Sequence, residues 1–148
     1  MTTDWLLRCG DGENLKNSSK LGIWGISSDT THGKHFLENV KPGDRLWFVK
    51  KKSNGRLYAV ATYRSYNSRQ IEPHGSLSDE ELGWRGGGTD WNADIEIHYT
   101  DLYGLKDCEL LTHIKGSAGI RKYNEKCRVN LALEYSYISR YSKVTFKL

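Results

Sequence analysis

The order of hydrophobic and polar residues along the chain predicts a β-rich protein with a few short helices. Strands are predicted over residues 3–9, 45–51, 56–65 and 93–103, and residues 23–26 are interpreted as a short buried extended segment. The segment 93–103 alternates most clearly, with Ile95, Ile97 and Tyr99 against Glu96 and His98. Asn54 and Gly55 supply the positive φ of a tight turn, so residues 45–51 and 56–65 are predicted to form an antiparallel hairpin.

Polar capping residues mark the predicted helices. Ser27 to Thr31 provide capping chemistry for a helix near residues 34–38, and the acids after Ser78 favour a helix start over 78–82. A short helix or helical turn is predicted over 14–20. Towards the end of the chain, 126–131 is a predicted strand, 132–141 is compatible with helix or strand, and 144–148 is expected to close the sheet.

These elements predict a single α+β domain over residues 1–148. A chain of 148 residues with 37% hydrophobic residues is long enough to bury a core. The strands are short and far apart in sequence, and the hairpin requires antiparallel pairing, which argues against a doubly wound sheet. We expect a curved mixed sheet of five or six strands, approaching an open barrel, with two or three helices around it.

Positive charge is concentrated in residues 41–56 and 115–128. The formal net charge is +4, from 22 lysines and arginines against 18 acids, and the acids gather at residues 72 and 79–81. Clustered cations attract polyanions, most simply nucleic acid, although charges at a hairpin tip also protect a sheet edge. We expect phosphate contacts from Lys50, Lys51 and Lys52 of the first stretch, and from Arg121, Lys122 and Arg128 of the second.

Several classes of protein and of site are disfavoured. No apolar run is long enough to cross a bilayer, and residues 1–4 lack the features of a secretory signal, so we expect an intracellular protein without membrane contact. The three cysteines are an odd number with no closely spaced pair, so we expect them to be reduced thiols. We expect no metal and no cofactor, since paired ligand spacings and a phosphate-binding glycine loop are missing. The oligomeric state stays open.

Two aromatic motifs carry the candidate binding chemistry. Trp24 lies between Gly22 and Gly25, which remove side-chain cover and would leave the indole open to a planar partner. The long segment 66–92 contains Trp84 and Trp91 on either side of a triple glycine. A loop of this length in a small domain is usually functional, and its two indoles could form further walls of a cage.

The order of these motifs resembles the EVE family and its relative the YTH family, both in the PUA-like superfamily. The resemblance covers roughly the first 65 residues and rests on short motifs in order. They are the strand 5–8, Asn14, the segment Gly22 to Ile26, the turn and strand 40–49 and the returning strand 57–63. YTH proteins carry a serine after the conserved tryptophan of the motif, whereas Gly25 follows the EVE pattern.

The resemblance implies a domain that reads a flipped, modified base of RNA or DNA in an aromatic cage. In the YTH family a tryptophan and an asparagine in the places of Trp24 and Asn14 hold N6-methyladenine. Ser27 or Ser28 is a further candidate for the base edge, and Trp91, or else Trp84, for the second wall. Trp5 and Trp47 are assigned to the core. The identity of the base and of the polymer stays open.

The principal alternative is an enzyme. PUA-like relatives of the ASCH type include small hydrolases of modified nucleosides that use a lysine, a threonine and an acid. Lys34, Thr31 and Asp29 are the residue types that such chemistry needs, although helix capping also explains two of them. A PUA-like scaffold without a ligand pocket is a third interpretation. The sequence favours a base-binding domain over an enzyme.

Overall fold

The computed structural model describes residues 2–50, 56–69, 76–85, 93–104 and 120–122, and these ranges contain six strands and three α-helices. The strands are β1 (Asp4–Arg8), β2 (Ile23–Ile26), β3 (Arg45–Lys50), β4 (Arg56–Ser68), β5 (Ile95–Gly104) and β6 (Ile120–Lys122). The helices are α1 (Glu13–Ser18), which continues into a 3₁₀ turn (Ser19–Leu21), α2 (Thr31–Asn39) and α3 (Asp79–Leu82). No helix within these ranges is long and apolar enough to cross a membrane.

The strands form one mixed sheet in the order β2-β5-β4-β3-β1-β6, curled into a half-barrel. β1 and β3 are parallel, and the other neighbouring strands are antiparallel, including the predicted β3–β4 pair. The predicted α+β fold, with a curved mixed sheet and two or three helices, is confirmed. β6 was not predicted as a strand, because its three residues show no periodicity of their own.

The boundaries differ from the prediction mainly at the ends of elements. β4 extends to Ser68, beyond the predicted residue 65, because its last residues pair with β5. α2 begins at Thr31, three residues early, because the Thr30 side chain accepts a hydrogen bond from the Gly33 amide at 2.9 Å. The Asn54-Gly55 turn and the predictions over 126–131, 132–141 and 144–148 lie outside the described residues.

Both tryptophans that the sequence assigned to the core are buried. Trp5 and Trp47 are 1% and 0% exposed. Each indole N–H donates to a buried carboxylate of the neighbouring strand region, Trp5 to Asp44 at 3.1 Å and Trp47 to Asp4 at 2.9 Å. These bonds satisfy the polar atom of each indole and join β1 to the start of β3.

Candidate functional site

Trp24 lies on β2, opposite Ile97 of β5. The sequence predicted an open indole, but in the structure Trp24 is 4% exposed and belongs to the hydrophobic core. Its ring contacts Phe48 and Trp84 edge to face, each with ring centroids 5.9 Å apart. A base between two parallel rings needs about 3.5 Å on each side, roughly 7 Å in all. Trp24 and Trp84 therefore enclose no base between them in this conformation.

Gly25 explains how Trp84 reaches β2. A Cβ atom at position 25 would lie 3.0 Å from Cη2 and Cζ3 of Trp84, and 2.8 Å from the Ala93 Cβ. A side chain there would push the indole away, so the close approach requires glycine. Trp84 is itself 4% exposed, and the guanidinium carbon of Arg69 lies 4.9 Å from the centroid of its ring. The second indole is thus enclosed on several sides.

The amide of Asn14 holds the residue that follows Trp84. Asn14 Oδ1 accepts a hydrogen bond from the Arg85 amide at 2.8 Å, and Nδ2 donates to the Arg85 carbonyl at 3.1 Å. One turn later, Asn17 Nδ2 donates to the Gly83 carbonyl at 2.7 Å. α1 is therefore clamped to the segment that carries Trp84. Four of the predicted base-contacting residues, Asn14, Trp24, Gly25 and Trp84, lie together as a result.

Arg69, directly after β4, is a part of this site that sequence reasoning missed. Its side chain is 5% exposed and forms an ion pair with Asp79 at 2.8 Å. Its guanidinium also donates to the Ala93 carbonyl at 2.9 Å and to the Leu77 carbonyl at 3.0 Å. A buried guanidinium needs such partners. An arginine after a strand has no distinctive pattern, and the acids of α3 were interpreted only as the start of a helix.

Ser27 and Ser28 follow the end of β2. The Ser27 hydroxyl accepts a hydrogen bond from the Asp29 amide at 3.2 Å. Ser28 donates to the Asp94 carboxylate through its amide, at 2.8 Å, and through its hydroxyl. Burial acts to raise the pKa of Asp94, but the hydrogen bonds from Ser28 and from its own backbone amide lower the pKa on balance. The Ser28 hydroxyl is thus bound to a carboxylate, which leaves Ser27 as the better candidate for a base edge.

A second polar cluster lies on β4 and β5, and it also had no signal in the sequence beyond strand alternation. Glu96 is 7% exposed and accepts a hydrogen bond from Asn67 Nδ2 at 2.7 Å. His98 Nε2 lies 2.7 Å from Asn67 Oδ1 and 3.5 Å from Glu96 Oε1. Glu96 and His98 are two residues apart and share the face of β5 opposite to that of Ile97. The cluster therefore lies on the other face of the sheet from Trp24.

The predicted phosphate-binding residues that the structure describes, Lys50, Arg121 and Lys122, lie on other strands than Trp24. Lys50 ends β3 and pairs with Arg56, while Arg121 and Lys122 of β6 pair with β1. In the part of the sheet that the structure describes, β2 and β6 are the outermost strands, with four strands between them. Four predicted site residues, Lys51, Lys52, Trp91 and Arg128, lie outside the described residues.

The residues suited to hydrolase chemistry lie at the start of α2. Asp29, Thr31 and Lys34 are all exposed, with Thr31 and Lys34 one turn apart. The helix cap is Thr30 rather than Thr31, as its bond to the Gly33 amide shows. The arrangement brings an acid, a hydroxyl and an amine to one end of the helix, but it does not bury them.

Comparisons with solved structures show that the fold is PUA-like. The Mmi1 YTH domain, solved as a complex with RNA, is 16% identical with a TM-score of 0.55, over 96% of this chain and 84% of that chain. The ASCH protein of Zymomonas mobilis is 11% identical with a TM-score of 0.51, over 96% and 98%. A Pseudomonas putida protein is 14% identical with a TM-score of 0.51, over 88% and 97%.

No protein-family model matches the sequence, and no curated protein matches it either. At the identities found, the similarity to solved structures concerns the fold alone. The similar structures include both a YTH domain and an ASCH protein, so the fold is the one that the motif order implied.

Proposed function

We propose that this protein is a single nucleic-acid-binding domain of the EVE type that accepts an extruded, modified base against Trp24. The observation that carries the proposal is the convergence of Asn14, Trp24, Gly25 and Trp84, which come from three separate parts of the chain. The Mmi1 YTH domain, which has a similar fold, was solved with RNA, and this supports a nucleic-acid partner.

Recognition of the base would combine stacking with contacts to its polar edge. Stacking on an aromatic ring contributes roughly 1–3 kcal/mol per base. Burial of an added methyl group contributes about 0.8 kcal/mol, which favours a modified base over its unmodified form. In this proposal Trp24 is one wall and Trp91 the other, and Asn14 with Ser27 binds the edge of the base.

Replacing Trp24 by phenylalanine tests the stacking role. Trp24→Phe keeps a buried ring but reduces its stacking area, so we expect roughly three- to tenfold weaker binding to the preferred modified strand. Binding is measured by titration of short RNA and DNA strands that carry N6-methyladenine or 5-methylcytosine. Trp47→Phe is the matched control, because Trp47 is 0% exposed and lies on β3 in the core. It should lower the melting temperature without changing the affinity.

Stability is measured on the same proteins, because Trp24 is also a core residue. Trp24→Ala is expected to lower the free energy of unfolding by about 3–5 kcal/mol, so affinities are compared well below each melting temperature. A parent protein without preference for any modified strand, together with unchanged binding by Trp24→Phe, would contradict the reader function.

The phosphate contacts are tested by salt dependence. Changing Lys50 and Lys51 to glutamine should weaken binding of all sequences alike, and it should reduce the slope of log affinity against log salt by about 1 per contact. The control is Lys34→Gln on the exposed side of α2. Binding that does not respond to salt would show these lysines to be an ordinary solvated surface.

A small hydrolase of modified nucleosides is the second candidate, because the ASCH fold is similar to this one. In that function Lys34 would act as base, beside the Thr31 hydroxyl and the Asp29 carboxylate. Incubation with modified nucleosides, followed by chromatography, measures turnover directly. Product that disappears with Lys34→Ala would establish the enzyme.

A further inference from the structure

The indole of Trp84 fills a seat formed by three residues, Gly25, Trp24 and Arg69. The bare backbone of Gly25 lies against the six-membered ring, Trp24 contacts it at an interplanar angle of 72°, and the Arg69 guanidinium lies over the ring. Flat bases stack on aromatic rings and on arginine planes, and they need backbone without side chains where they approach closely. The surroundings of Trp84 are therefore those that a base would require.

Trp84 is carried by residues 76–85, a segment that we call the lid. In the described part of the chain, the lid takes no part in the strand ladders of the sheet. It is held to the rest of the protein by two side chains in the core, Leu82 and Trp84, and by several polar contacts. The polar contacts include the Asn14 bonds to Arg85, the Asn17 bond to Gly83, the Arg69 bond to Leu77 and the Arg69–Asp79 ion pair. Opening the lid would expose these two side chains, but it would break none of the described strand ladders.

The lid also carries the carboxylate that pairs with Arg69. α3 contains Asp79, Glu80 and Glu81, all of them exposed. Asp79 Oδ1 forms an ion pair with Arg69 Nη2 at 2.8 Å. A guanidinium binds a phosphate in the same manner as it binds a carboxylate. The lid thus presents an anion and a flat ring together, as a nucleotide does.

We infer that the lid is an internal stand-in for a nucleotide, and that the base expels Trp84 from its seat and stacks on Arg69. This inference rests on the proposed function and adds Arg69 to the residues that contact the base. When the lid leaves, its three carboxylates move away from the incoming phosphates, which reduces repulsion. The free protein must open before it binds, so weakening the lid should raise the apparent affinity.

The lid contact is tested with a charge-matched pair of variants. Asp79→Asn removes the ion pair with Arg69, whereas Glu80→Gln removes the same charge from the same helix without touching that pair. The probe is a short single-stranded RNA with one N6-methyladenine, and the same strand with an abasic site at that position. We expect Asp79→Asn to bind the methylated strand roughly tenfold more tightly, and Glu80→Gln to bind it like the parent.

The movement of Trp84 and the role of Arg69 are measured separately. The exposure of Trp84 is measured by acrylamide quenching of tryptophan fluorescence, with the signal of the Trp84→Phe variant subtracted from that of the parent. We expect the quenching of Trp84 to increase when the methylated strand binds. Arg69→Lys keeps the positive charge but removes the planar guanidinium on which a base could stack. We therefore expect roughly tenfold weaker binding of the methylated strand and little change for the abasic strand.

The outcomes separate this inference from the proposed function. Failure of the parent to discriminate the methylated from the abasic strand, with every modified base tried, overturns both. Base-dependent binding with an unchanged Trp84 signal overturns the inference alone, as do equal effects of Asp79→Asn and Glu80→Gln. A larger effect of Asp79→Asn, accompanied by exposure of Trp84, supports it.

Discussion

At the scale of single residues, Asp44 shows how one buried carboxylate organises the start of the chain. It is 2% exposed, and it accepts hydrogen bonds from the Thr3 amide at 3.0 Å, the Trp5 indole at 3.1 Å and the Lys41 amide at 3.0 Å. Two of these donors belong to the N-terminal strand region, and the third belongs to the turn before β3. Asp44 therefore secures the parallel pairing of β1 with β3, which no turn could impose.

We expect Asp44→Ala to be strongly destabilising. It leaves the buried Trp5 indole and two part-buried amides without their acceptor, and we expect a loss of roughly 2–4 kcal/mol in the free energy of unfolding. Urea denaturation measures this loss, with Glu38→Ala on the exposed side of α2 as the control. A loss no larger than that of the control would mean that β1 is held by its ladder and its apolar contacts alone.

Gly25 is the residue that decides whether Trp84 can be seated. Gly25→Ala would place a methyl group 3.0 Å from the ring and 2.8 Å from Ala93, so we expect a loss of about 1–3 kcal/mol in stability. A double-mutant cycle with Trp84→Phe measures the coupling, because a smaller ring leaves room for the methyl group. If the losses are simply additive, the two residues do not oppose each other and the described contact is not what requires glycine.

At the scale of elements, the lid and the sheet differ in how they are held. The lid has its own capping box at Ser78 and Glu81, bonds to α1 and Arg69, and two side chains in the core, but in the described part of the chain it has no strand ladder. The central strands β4 and β5 pair with each other along most of their length. Local stability should therefore be lower in the lid than in these strands.

Hydrogen exchange checks this difference. The Arg85 amide, which is bonded to Asn14, should exchange through a local opening, well before the amides of Tyr63 and Tyr99. Asn17→Ala removes the bond to Gly83 and should speed exchange at Arg85 by roughly two- to tenfold. Asn39→Ala, which removes a similar exposed bond to the His35 carbonyl, is the control. Equal protection of Arg85 and Tyr99 would show that the lid opens only with global unfolding.

At the scale of the whole molecule, three tyrosines link the fold to pH. Burial raises the pKa of Tyr58 and of Tyr63 to about 12, and burial also raises the pKa of Tyr99. Above the ordinary tyrosine pKa of about 10, the unfolded chain loses protons that the folded chain keeps. The contribution of these tyrosines to stability is therefore fully present below pH about 10. It is lost as the pH rises towards about 12.

This pH dependence is measured by urea denaturation at increasing alkaline pH, together with tyrosinate absorbance. We expect the folded protein to ionise later than the unfolded protein, and Tyr58→Phe to reduce the slope of stability against pH. Coincident ionisation of the folded and unfolded states would contradict the described burial of these rings.

The parts of the fold that the sequence predicted depend on local patterns. The alternation around Ile97 identified β5, the polar run before Thr31 identified the cap region of α2, and the acids after Ser78 identified α3. Each pattern lies within a few residues, because strand and helix periodicities are properties of neighbouring positions. The parallel pairing of β1 with β3 joins distant segments, so the same alternation could not reveal it.

For the candidate site, the sequence alone determined which residue types were available: Trp24 between glycines, Asn14 ahead of it, and two further indoles in a long loop. Only the tertiary structure decided that Trp24 is covered, that Asn14 clamps Arg85, and that Arg69 lies over Trp84. The reason is physical. Solvent exposure and long-range hydrogen bonds depend on which distant segments pack together, and a local sequence pattern carries no information about the partner that will cover it.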